Sequence, residues 1–106
     1  MITATQRFAL FEDSQVLYSA LECKVYPFLD IDTEIVRVEI RVLATIGTSV
    51  FLTGGSYTKE FTFAELLAFT ASGSDEIEQF YNLCEQASKD YLEGIPENSA
   101  VTFAIV

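Results

Sequence analysis

The chain has 106 residues, half of them hydrophobic, with 16 acidic side chains against six basic ones, no histidine and a formal net charge of −10. That length accommodates one hydrophobic core, so residues 1–106 are read as a single domain. The charge repels nucleic-acid phosphates and anionic membranes, which excludes direct contact with either as the expected mode, and it suits a basic protein surface.

The first 33 residues are the least patterned. Ser14–Cys23 reads as a helix, and Cys23–Leu29 as a strand that pairs, through Asp30–Thr33, with the segment after it. Pro27 has no N–H to give a ladder, so that strand is expected at an edge or a bulge. From Glu34 to Ile46 the alternation is clear: Val36, Val38, Ile40, Val42, Ala44 and Ile46 interleave with Ile35, Arg37, Glu39, Arg41, Leu43 and Thr45. One apolar and one charged face predict a long antiparallel strand. Gly47-Thr48 offers a turn into Ser49–Thr53, and Gly54-Gly55 a hairpin turn into Ser56–Phe61, which makes residues 34–61 a three-stranded meander.

Thr62-Phe63-Ala64-Glu65 has capping-box spacing and predicts a short helix to about Thr70. The clearest element runs from Asp75 to about Glu93. On a helix, Ile77, Phe80, Tyr81, Leu83, Cys84, Ala87, Tyr91 and Leu92 gather on one half of the cylinder, and polar residues fill the other. Asp75 caps the start with Glu78 as its capping-box partner, Gly94 supplies the stop, and Pro96 prevents continuation. Ser99–Val106 reads as a final strand. The sum is an α+β fold: an antiparallel sheet of four to five strands with a long C-terminal amphipathic helix on one face.

The missing histidine removes the usual neutral-pH base, the Ser-His and Cys-His nucleophile pairs and the commonest transition-metal ligand. No catalytic residue, metal ligand or cofactor is therefore assigned, and the chain is not expected to be an enzyme. The run Tyr26–Leu29 followed by Asp30-Ile31-Asp32 resembles, over about nine residues, the nucleophile motif of the haloacid-dehalogenase phosphatases. In that family the first Asp attacks phosphorus and the second acts as acid and base. Glu34 stands where the family has Thr or Val, and the chain is too short for the family's parallel sheet, so neither role passes to Asp30 or Asp32. As a calcium loop the stretch fails too, with Ile35 at the Gly position and Arg41 at the Glu position. Thr53-Gly54-Gly55-Ser56 lacks the Gly-Lys-Ser/Thr ending of a phosphate loop. Cys23 and Cys84 have no metal-ligand spacing. The N-terminus lacks signal-peptide features, so reduced thiols and a cytoplasmic location are the expectation.

Residues 75–97 hold seven acids and one lysine, a net −6 of the total −10. Glu78, Glu85, Asp90 and Glu93 turn away from the apolar stripe and are the candidate partner-binding residues. Arg37 and Arg41, beside Glu39 on the charged strand face, form a candidate secondary interface. The reading is a small acidic, non-enzymatic adaptor or inhibitor that docks on a larger, basic-surfaced protein. One concrete version is a phage or mobile-element inhibitor of a nucleic-acid-binding protein. The alternatives are a self-assembling structural or assembly subunit, for which homo-oligomers are expected, and a small-molecule-binding domain with an aromatic pocket.

Overall fold

The computed structural model describes residues 1–19, 21–46 and 49–106. The elements are β1 (Ile2–Ala4), β2 (Glu22–Asp30), β3 (Ile35–Ile46), β4 (Ser49–Thr62), α1 (Phe63–Leu67), α2 (Glu76–Glu93), a 3-10 turn at Pro96–Asn98, and β5 (Phe103–Ile105). The strands form one antiparallel sheet of five, in the order β4-β3-β2-β1-β5, with α2 against one face. This is the α+β architecture that the alternation in β3 and the amphipathic helix call for.

Strand β3 works as its pattern demands. Val36, Val38, Ile40 and Val42 are buried against the helix, whereas Arg37, Glu39 and Arg41 lie on the opposite face. Burying four β-branched side chains in a row is worth several kcal/mol, at about 1.5–3 kcal/mol each, before chain entropy is subtracted. Helix α1 carries both bonds of its capping box, Glu65 N to Thr62 Oγ1 and Thr62 N to Glu65 Oε1, and ends at Ala68, sooner than its sequence suggests. In α2 the Asp75 carboxylate accepts from Glu78 N at 2.8 Å, but the Glu78 carboxylate takes the Ser74 hydroxyl instead of closing a box. Gly94 keeps a right-handed helical conformation (φ −76°), and the chain turns extended at Ile95, the residue that Pro96 bars from helix.

Two expectations are corrected. Residues 14–19 and 21–23 do not form the expected helix. The Ser14 hydroxyl donates to Val16 O and accepts from Val16 N, a local turn that competes with helical bonding. The preceding residues Phe8, Ala9 and Leu10 are all buried in a segment that lies beside α2 and meets β4 at Tyr57 and Gly55. Second, Gly54-Gly55 is no hairpin turn. β4 runs through it, and the register jumps from Arg41↔Ser56 to Leu43↔Leu52, so Val42 stands opposite three residues. The meander is therefore a two-stranded hairpin, whose proposed turn at Gly47-Thr48 lies outside the described residues. A Cβ on Gly55 would sit 2.5 Å from the Tyr18 ring, so the glycine lets the ring lie on the strand. The edge expected at Pro27 is present although β2 stands between β3 and β1 in the strand order. β1 reaches only Glu22 and Cys23, so among the described residues no strand neighbours that side of β2 from Lys24 to Asp30. Ala4 N donates to Leu21 O, and strand alternation then turns the backbone groups of Val25, Pro27 and Leu29 to that open side. Pro27 thus spends its missing N–H where no ladder needs it.

Asn98 ties the ends together. It is 2 % exposed; its amide donates to Ala9 O and Leu92 O and its oxygen accepts from Ala9 N at 2.7 Å.

Candidate functional site

The β2–β3 turn, α1 and the first turns of α2 come from three separate stretches of sequence and meet at one end of the fold. Ile35 pairs with Thr62, the residue that caps α1, and Phe63 N donates to Glu34 O. Between them lies a groove of about 300 Å³ whose lining is entirely apolar: Leu29, Val36, Phe63, Leu66, Leu67, Phe80 and Leu83. Leu67 is 79 % exposed and Leu29 55 %. Beside it the stripe of α2 runs past the core. Ile77 and Tyr81 point the same way as buried Cys84 and Ser88, each pair two turns apart, yet Ile77 is 71 % exposed. Isolated exposed apolar residues are ordinary, but a contiguous set at the mouth of a groove is the usual mark of a contact surface.

Carboxylates converge on the same end. The turn contributes Asp30, Asp32 and Glu34; the end of β4 and α1 add Glu60 and Glu65; the start of α2 adds Asp75, Glu76 and Glu78. Several have local duties. Asp30 Oδ1 accepts from the N–H groups of Asp32 and Thr33, Glu65 and Asp75 cap their helices, and Glu60 meets Arg37 at 3.3 Å across the strands. Asp32, Glu34 and Glu76 are exposed, and Glu76 stands one helical turn before Phe80. Against these acids the end carries Arg37, whose pair is largely exposed and correspondingly weak.

The four candidate acids of α2 are not brought together. Glu78 belongs to the acidic end. Glu85 is held by the amino group of Met1 at 2.6 Å, Glu93 by Lys89 at 2.5 Å, and Asp90 accepts from the Gln86 amide near the far end of the helix. From Glu78 to Glu93 is about 22 Å along the axis, and Asp90 lies about 140° round from Glu85. Arg41 is also engaged: it grips Glu39 through both oxygens and stacks on Tyr26, 4.4 Å from the ring centre. That hydrogen bond holds the Glu39 carboxyl below its ordinary range. Arg37 and Arg41 share the outer sheet face with Glu39 and Glu60, so the face is mixed in sign.

Both cysteines are free and buried. Burial pushes the Cys23 thiol up to about 12 and Cys84 to about 11, which leaves neither as a nucleophile near neutral pH. Tyr57 and Tyr91 stack at 5.3 Å, and the Tyr91 hydroxyl donates to Leu10 O, its ionisation opposed chiefly by burial. Among the described residues no group of acidic or cysteine side chains is placed to hold a metal ion, and no helix is long and apolar enough to cross a membrane.

In the sequence Leu29 falls at a strand end and Phe80 on the apolar half of α2, and neither position marks a groove. The groove's one signal was an excess of apolar residues at the start of α2 and in α1, more than one face can bury. Compared with known proteins, the chain matches no family model, no curated protein and no solved structure.

Proposed function

We propose that this chain is a small, non-catalytic binding protein that docks through its acidic end on a basic surface of a larger protein. One observation carries the reading: carboxylates from three distant stretches of sequence converge beside a groove lined only by apolar side chains. Apolar burial would supply affinity, and the carboxylates would select and steer a cationic partner. The docking acids then shift from the four on α2 to Asp32, Glu34 and Glu76, with Glu78 shared by both sets. An adaptor and an inhibitor use the same surface and differ only in what the partner loses on binding.

The test is affinity capture from source-cell lysate with the natural chain and with two variants. One neutralises the acidic end (Asp32→Asn, Glu34→Gln, Glu76→Gln); the other neutralises Asp90 alone. Capture that is lost at high salt and in the triple variant, but kept with Asp90→Asn, supports the reading. Capture indifferent to salt and to the triple variant refutes it, since contacts between exposed charges weaken as the Debye length falls from about 10 Å at 0.1 M salt to about 3 Å at 1 M.

A further inference from the structure

We infer that the groove between α1 and α2 receives one amphipathic, basic α-helix of the partner, with apolar side chains one turn apart in the groove and Lys or Arg flanking them. This rests on the docking reading above and specifies its occupant. Three occupants could fill such a groove: a strand added to the sheet, a second copy of this chain, or a partner helix.

A strand is disfavoured by the edge beside the groove. The open side of β2 presents the backbone groups of Val25, Pro27 and Leu29, and Pro27 in the middle has no N–H to donate. A ladder built there loses a bond at its centre, which is how natural sheets discourage edge pairing. A second copy is disfavoured by charge. The one long helix among the described residues is α2, which carries a single lysine and begins with Asp75, Glu76 and Glu78. Placed in its twin's groove it would set carboxylate against carboxylate.

A cationic helix meets neither obstacle. It satisfies its own backbone, so it asks nothing of the β2 edge. Its apolar residues at i and i+4 fall on one stripe and suit an apolar groove, and its basic residues to either side can reach Asp32 and Glu34, in the turn between the lining residues Leu29 and Val36, and Glu76, one helical turn before the lining residue Phe80.

The experiment uses two synthetic peptides of identical composition and charge. One places Leu at i, i+3, i+4 and i+7 among Lys and Arg; the other alternates Leu with Lys and Arg in strand register. Each is titrated into the full chain and followed by amide chemical shifts and by anisotropy of a labelled peptide. The helical peptide should bind at least ~10-fold tighter than the alternating one, with shifts gathered at Leu29, Phe63, Leu66 and Phe80. Leu67→Lys, at an exposed position that the fold does not need, should weaken it by at least ~10-fold, while Asp90→Asn leaves it unchanged. Equal binding of the two peptides, or shifts outside the groove, would overturn the helix proposal while leaving charge-driven docking intact. Tighter binding of the alternating peptide, or no binding of either, would overturn it as well. Loss of docking itself is read separately, by the capture assay.

Discussion

Replacing Asn98 should cost this fold a large share of its stability, and the cost should depend on pH in one of two variants. Asn98 is buried at the point where the N-terminal segment, the end of α2 and the 3-10 turn meet, and its amide makes three bonds. Leu92 O keeps other partners, the N–H groups of Gly94 and Ile95. The groups stranded by Asn98→Ala are therefore Ala9 N–H and Ala9 C=O, in a residue with no exposure to water. At about 1–3 kcal/mol for each buried group left unpaired, plus a small cavity, the loss comes to about 3 kcal/mol. Domains of this size hold about 5–10 kcal/mol in all. Asn98→Asp tests the orientation of the amide. Ionised, it points oxygen at the Ala9 and Leu92 carbonyls; protonated, it can donate to one of them and still accept from Ala9 N–H. Its folded pKa should lie above the unfolded ~3.9, so the folded state holds more protons and stability falls as pH rises through that window. Urea unfolding followed by circular dichroism should show Asn98→Asp much closer to the natural chain at pH 4 than at pH 7, with Asn98→Ala showing no such relative gain. A loss under ~0.5 kcal/mol for Asn98→Ala, or a pH-independent penalty for Asn98→Asp, would refute the clamp.

The buried thiols make a second pH prediction. With Cys23 at about 12 and Cys84 at about 11 against an ordinary thiol at 9.0, the folded chain retains protons that the unfolded chain releases above pH 9. Stability should decline from pH 9 towards pH 11, and Cys23→Ala should flatten that slope; an unchanged slope in that variant would contradict the assignment. Gly55→Ala should destabilise by about 1–3 kcal/mol, because its methyl would meet the Tyr18 ring. Pairing it with Tyr18→Leu should recover part of the loss, and denaturant midpoints of the two single variants and the double variant check this.

Local signals were legible wherever one periodicity ran uninterrupted. β3 buries the face its spacing selects, α2 does so from Cys84 onward, and Thr62 and Asp75 cap the two helices as their residues encode, although only α1 closes the box. The signals failed where a residue's conformation depended on a distant neighbour. Gly55 looked like a turn because glycine commonly is one; its reason lies in Tyr18, 37 positions away. Phe8, Ala9 and Leu10 follow neither helix nor strand period, since Asn98 and Phe103, far along the chain, decide what they bury against. The candidate site shows the same limit. Sequence assigned the charge to α2, where it is densest, but Glu85, Glu93 and Asp75 are spent on the N-terminal amine, on Lys89 and on the helix cap.

The sheet's free edges bear on whether the chain was built to dock or to assemble with itself. Among the described residues β4 has only β3 beside it, and it carries a three-residue irregularity opposite Val42 and, further on, Lys59 over the Phe61 and Tyr91 rings. The open stretch of β2 carries Pro27. Bulges, edge lysines and edge prolines are the devices by which sheets resist pairing with one another. Both long edges thus hold something that obstructs a continuing ladder. The groove holds nothing of the kind, since its apolar lining is open and its nearby carboxylates repel a copy of the same chain but attract a cation. Among the described residues, obstruction at the two long edges leaves the three-residue edge of β5 for ladder pairing between copies, a short template that fits the proposed preference for a different, basic protein.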